Sequence, residues 1–338
     1  MLPYFPLLAA LSGLSSAAAL ATTTLGAPHH LVHQFDNGFW AENIAVRSNG
    51  KVLITMIAPY PQVYQLDPLL PNPAPELITT FPNHLAALGI DEIKPDVFAV
   101  VANNFTTSTG GSTPGSNTIY SLDMRTYDAD GKVNVSVLAE IPDAVFLNGL
   151  TTIKGGDGGK FLTSDSFKGQ IFEVDIKSGS SKVWLDDPIL HFPAGVSLKI
   201  GVNGVRYRPE DGFVYLSVLT RGTLARVRYS PDGIREAKDK TKAVKVLATS
   251  KSNTPFDDLI VAPNGDLYAT GGADNVLYLV RAGSGRLTPF FGSSGSLALA
   301  GPTAARFGRT KLDRHIVYVT TNGGVAGPIN GTITEPAT

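Results

Sequence analysis

Glu42, Asn148, Asn203 and Asp257 are the side chains of this sequence whose types and spacing could do chemistry. Each opens a short stretch of alternating apolar residues: ENIAVRSNGKVLIT from Glu42, NGLTTIKGG from Asn148, NGVRYRPEDGFVYLS from Asn203 and DDLIVAPNGDLYAT from Asp257. Two carboxylates and two carboxamides gathered in one place would repel one another or waste hydrogen-bonding capacity unless a positive charge sat between them. A hard cation with oxygen ligands is the economical partner, and calcium suits such a set best, with water completing its shell. Asn-Gly is also the strongest hairpin signal, and Asn49-Gly50 and Asn264-Gly265 read as turns of that kind. Asn148 and Asn203 differ because they precede their strand instead of following it.

The elements that could gather four such distant residues are repeats. Leu88 (LGIDEIKPDVFAVV) and Thr303 (TAARFGRTKLDRHIVYVTT) open two further copies, so six units begin at intervals of 46 to 60 residues. Each unit holds only strands and a Gly-containing or charged turn, which predicts an all-β six-bladed β-propeller over residues 22–338 as one domain. In that architecture the first strand of every blade lines a central channel, and the residues opening those strands converge on one mouth. Ring closure is expected from a strand at Leu31–Phe35 pairing with residues 327–334. The low-complexity stretch 106–116 is expected to be a mobile loop, and 236–245 a solvated outer connection.

Aromatic residues crowd the same positions: Phe39, Trp40, Phe146, Phe192 and Phe256. Two readings stand, packing between blades, or apolar walls over a polar floor that would suit a bulky, mostly apolar ligand. His29, His30 and His33 have no matching ligands and are expected in solvent, while His191 is a candidate proton carrier near the mouth.

With 28 basic and 29 acidic residues the formal charge is −1, so neither nucleic acid nor an anionic membrane is a favoured partner. The absence of cysteine excludes disulfides, thiolate metal sites and Cys nucleophiles. No G-x-S-x-G elbow, P-loop or H-E-x-x-H occurs, which leaves a serine hydrolase unsupported. The apolar run 1–21 ends in Ala19-Leu20-Ala21 and reads as a cleaved signal peptide that leaves no membrane segment. With the sequons at Asn104, Asn134 and Asn330 it points to a secreted or lumenal glycoprotein.

The blade-opening stretches quoted above resemble those of the gluconolactonase, regucalcin and luciferin-regenerating-enzyme-like family of six-bladed propellers, over most of residues 38–322. The resemblance implies a divalent cation at the channel mouth, held by Glu42, Asn148 and Asp257, with Asn203 on the metal or substrate side and Asp257 also serving as base. Asn43 and Asp258 stand where Gly is usual in the sugar lactonases, and Leu88 places an apolar residue on the ring. The leader, the sequons and the apolar mouth look more like the secreted fungal branch linked to secondary-metabolite pathways, which includes hetero-Diels-Alderases. That likeness implies cycloaddition of a tropolone- or polyketide-type quinone methide with a terpene alkene. Asn148 and Asn203 would donate hydrogen bonds, Glu42 and Asp257 would hold the cation, and Asp257 would move a proton. A metal-dependent lactonase or esterase and a non-catalytic interaction module are the alternatives.

Overall fold

The computed structural model describes residues 7–8, 28–153, 159–231, 244–250, 255–325 and 328. Val52–Ala58 shows how the sequence sets the architecture: apolar residues occupy both faces of the strand, and all but the last are buried. A strand covered on both faces belongs to a sheet stacked between two others. Asn134–Glu140, at an outer edge, is exposed along most of its length.

Five four-stranded antiparallel sheets follow one another as meanders. Blade 1 comprises Trp40–Val46, Val52–Ala58, Gln62–Leu66 and Glu76–Thr80. Blade 2 comprises Ala86–Lys94, Val97–Asn103, Thr118–Asp123 and Asn134–Glu140. Blade 3 comprises Leu147–Ile153, Lys160–Asp165, Gln170–Asp175 and Ser181–Asp186. Blade 4 comprises Val202–Arg208, Phe213–Val218, Thr223–Arg228 and Lys245–Thr249. Blade 5 comprises Leu259–Val261, Leu267–Gly271, Val276–Val280 and Leu287–Gly292. The apolar clusters fill the seams between blades, so each sheet is stabilised by its neighbours.

The molecule is an all-β propeller with five blades and not the six expected. The last repeat forms only the hairpin Pro302–Phe307 and Val317–Thr321, whose outer edge pairs in parallel with Leu7–Leu8. Among the described residues no further strand extends this sheet. Closure also departs from expectation. Leu31–Phe35 is not a strand; Val32 and Phe35 pack against Ile44, Val52 and Tyr318 in the seam between this hairpin and blade 1. Its proposed partner, residues 327–334, lies outside the described residues apart from Pro328. Thr303 Oγ1 and Arg309 Nη1, each donating at 2.8 Å to the carbonyls of Ala41 and Val46, tie the hairpin to blade 1.

The stretch 106–116 is structured: Phe105–Thr106 and Gly111–Ser112 pair as a small hairpin, and Ser116 Oγ accepts from Asn104 N at 3.0 Å. The leader (save Leu7–Leu8), the connection 236–243 and the Asn330 sequon lie outside the described residues. Among the described residues no helix is long and apolar enough to cross a membrane.

Candidate functional site

The ring positions are β-bulges. Pairing between the first and second strands skips Glu42, Leu88-Gly89, Asn148-Gly149, Asn203-Gly204 and Thr303. In blade 5 the first strand starts at Leu259, and Asp257 and Asp258 occupy the same phase just before it. A bulge leaves its extra residue out of the ladder and re-aims its side chain, here at a phase that recurs in every repeat.

A belt of hydroxyls holds these bulges in register. In blade 4, Ser217 Oγ accepts from Gly204 N at 2.8 Å and donates at 2.6 Å to the carbonyl of Asp257 in the next blade. Thr55 does the same for Asn43 and Leu88, and Thr270 for Asp258 and Thr303. Ser164 accepts from Gly149 N and donates to the Asn203 carbonyl. Blade 2 has Val101 at this place, and there Asn103 and Asn117 take over: Asn103 Nδ2 donates to the Leu147 carbonyl at 2.9 Å, and Asn117 Oδ1 accepts from Leu147 N at 2.9 Å. Gly89, Gly149 and Gly204 sit so close to the next blade's ring residue that a Cβ would collide with it.

Glu42, Asn203 and Asp257 are brought together. Asn203 Nδ2 donates to Asp257 Oδ1 at 2.8 Å, and Trp40 Nε1 donates to Glu42 Oε2 at 2.8 Å. Burial, with a smaller push from Asp258, raises the Glu42 carboxyl to about 7 against the opposing Trp40 bond. Burial and the charges of Glu42 and Asp258 raise Asp257 well above the ordinary carboxylate range, opposed by Asn203. Asn148 holds the same bulge position, is 3% exposed, and makes no side-chain hydrogen bond among the described residues. The four are all oxygen donors, and two carboxyls whose ionisation is disfavoured by burial and by neighbouring negative charge suit a hard cation. Among the described residues no three His, Cys, Asp or Glu side chains gather as a metal cluster, so the amides would have to complete the ligand set.

Next to the ring lies a network that sequence reasoning did not anticipate. Asn43 and Asp258, standing where blades 2, 3 and 4 have Gly, meet across the channel with Asn43 Nδ2 donating to Asp258 Oδ2 at 3.3 Å. Arg206 Nη2 donates to the same oxygen, and Arg306 Nη1 lies 3.5 Å from it. Arg306 is pushed down to about 10 by burial and by the nearby Arg206 charge. The signal was the polar pair Asn43 and Asp258 at a place held elsewhere by Gly or Ala; what they meet was not visible. The hydroxyls of the belt also had a signal, since Thr55, Ser164, Ser217, Thr270 and Thr320 recur at one phase of the second strand.

The expected aromatic walls divide. Trp40 touches Glu42, and Phe192 is half-buried on the loop leading to blade 4. Phe146 stacks on Phe105 at 4.5 Å and Phe256 packs edge-on to Tyr278 at 5.6 Å; both are core residues. Phe39 stacks on Phe35 at 5.4 Å in the seam beside the terminal hairpin. Residues flanking a bulge alternate in direction, which sends these rings between blades. His191 pairs with Asp186 at 2.8 Å, and among the described residues no hydrogen bond or ion pair joins it to the ring. His29 and His33 are half-buried on Phe291 and Phe35 instead of free in solvent. Of the sequons, Asn134 is exposed and Asn104 is half-buried.

The strands and the ring define a β-propeller, and solved structures agree in fold. The chain is similar to a candidate gluconolactonase (TM-score 0.55, 13% identity, 86% of this chain and 88% of that one). It is also similar to regucalcin, a calcium-binding protein of Agrobacterium tumefaciens (TM-score 0.51, 12% identity, 80% and 81%). In sequence it is similar to a candidate hetero-Diels-Alderase of Phoma sp, 29% identical over 91% of this chain and 90% of the relative. A second candidate hetero-Diels-Alderase, from Sarocladium schorii, is 26% identical over 87% of this chain and 78% of the relative. No family model matches the chain.

Proposed function

We propose that this protein is a hetero-Diels-Alderase of secondary metabolism, joining a tropolone- or polyketide-type quinone methide to a terpene alkene at the channel mouth. The observation that carries this reading is the similarity to two candidate hetero-Diels-Alderases along most of the chain. In such a cycloaddition two σ bonds form as three π bonds become one, and no atom is lost. The protein's part is to hold both partners in a near-attack pose and to place donors where negative charge gathers on the heterodiene oxygen. Asn148, whose amide has no partner among the described residues, is the donor best disposed to that oxygen. Asn203 spends one N–H on Asp257 and keeps the other. Trp40 offers an apolar face beside Glu42.

Asp257, whose carboxyl is pushed well above the ordinary carboxylate range by burial and by the Glu42 and Asp258 charges, is the group placed to deliver a proton to a leaving hydroxyl and release the quinone methide as water departs. Glu42, with a value of about 7, can accept the proton that leaves the phenol. Glu42, Asn148, Asn203 and Asp257 are the residues that would hold a divalent cation, calcium by their oxygen chemistry. When bound it would supply fixed positive charge to polarise a substrate oxygen. The leader-like residues 1–21 and the exposed Asn134 sequon support a secreted or lumenal glycoprotein as its setting.

The buried carboxyl pair favours one second reading, a metal-assisted lactonase in which Asp257 activates water. Quinone methide precursors offered with a terpene alkene, beside a lactone and aryl-ester panel, separate the two. Enzyme-dependent stereochemistry that falls in Asn148→Ala and Asp257→Asn supports the cyclase. Hydrolysis lost in Glu42→Gln and Asp257→Asn, without cycloaddition, replaces it. Full function in all three variants would mark an interaction module and overturn both.

A further inference from the structure

On the side of the molecule away from the ring, blades 4 and 5 enclose a cavity of about 360 Å³. Among the described residues its walls carry Arg208, Arg226, Lys245 and Arg281, with Asp211 the one acidic residue. This is a local excess of positive charge on a chain whose formal charge is −1. Two of the cations are already matched. Arg208 bonds Asp211 at 2.8 Å, and Arg281 bonds Asp266 at 2.7 Å.

Arg226 and Lys245 have no carboxylate partner among the described residues. They stand directly opposite each other on adjacent strands, an arrangement of like charges that is unfavourable without an anion. Arg226 is held in place by other means: its guanidinium lies 4.2 Å from the centre of the Phe213 ring, and Arg228 lies 4.6 Å from the same ring. Its Nε is buried with no hydrogen-bond partner. Tyr215, opposite Arg226 on the other side, gives its hydroxyl proton to Asp211 at 2.7 Å, and Asp211 also takes the Arg208 bond, so this acid is engaged away from Arg226. A guanidinium fixed over the Phe213 ring with no carboxylate partner, an ammonium opposite it, and room for a ligand make a receptor for a compact, doubly charged group.

We infer that this cleft binds a tetrahedral oxyanion, a phosphate or sulfate group, with Arg226 and Lys245 as its ligands. The site is separate from the channel mouth and does not depend on the reaction performed there. The test is calorimetric titration of the full chain with inorganic phosphate and with inorganic sulfate at low ionic strength, since screening weakens exposed charge pairs. The wild type is expected to bind one equivalent saturably. Arg226→Gln and Lys245→Gln should each weaken binding about tenfold or more, as for loss of one charge-assisted partner. Arg125→Gln, an exposed arginine of blade 2 paired with Asp123, should bind as the wild type does. Lys245 is exposed, so its variant stays folded and keeps the test decisive if Arg226→Gln does not fold. Preference for phosphate or for sulfate would name the ester class the cleft serves, and either supports the site. Absence of saturable binding, or equal affinity in the wild type and both cleft variants, would overturn it.

Discussion

Replacing Glu42 by Gln isolates the electrostatics of the channel mouth. Glu42 is 5% exposed, and its carboxyl is raised from 4.5 to about 7, chiefly by burial. The folded protein therefore holds this proton more tightly than the unfolded chain does. Below pH 4.5 both states are protonated and Glu42 costs nothing; the cost grows as pH rises toward 7 and is complete above it. At about 1.36 kcal/mol per pH unit between the two values, the full cost is about 3 kcal/mol. Gln still accepts from Trp40 and carries no charge, so it escapes this cost and also removes one of the charges that raise Asp257. Denaturant unfolding with linear extrapolation, in chelator, should find the variant about 3 kcal/mol more stable than wild type at about pH 8.5. At about pH 4.5 the two should agree within about 0.5 kcal/mol. Calcium at a hundredfold excess over its Kd should add about 2.7 kcal/mol to the wild type, more than to the variant, and close the gap. A gap that does not change with pH, or a wild type more stable at high pH in chelator, would refute the placement of an ionisable Glu42 in a desolvated site.

Three further substitutions test the scaffold around the ring. Asp258→Asn strands the buried Arg206 and Arg306 without their carboxylate and should cost about 3–5 kcal/mol in denaturant unfolding. Ser217→Ala leaves Gly204 N without its acceptor and the Asp257 carbonyl without the hydroxyl. The loss should be about 1–3 kcal/mol, read from the unfolding midpoint. Phe256→Ala should cost about 3–5 kcal/mol, because the ring is wholly buried. If it instead leaves stability intact and raises KM, Phe256 faces substrate and the core assignment fails.

The repeat was legible because a bulge at one phase of a recurring strand is a local property. Glu42, Asn148, Asn203 and Asp257 could be aligned by counting residues, and the structure confirms that all four share that phase. The same periodicity carried the belt of Thr55, Ser164, Ser217 and Thr270, which could have been found by aligning the second strands. Counting repeats overstated the blades, since the last copy has its inner hairpin but, among the described residues, lacks the outer two strands.

What the sequence by itself determined, then, is the strand period, the turn positions and the phase of the ring, all set by neighbours along the chain. Tertiary structure alone decided which way the flanking aromatics turn: Phe146 and Phe256 leave the mouth because the blade seams bury more apolar surface there. It alone joined Asn43 to Asp258, 215 residues apart, and set Arg206 and Arg306 on that carboxylate. Such contacts depend on closing the ring in space, and no pattern along the chain encodes the distance between residues that meet only across it.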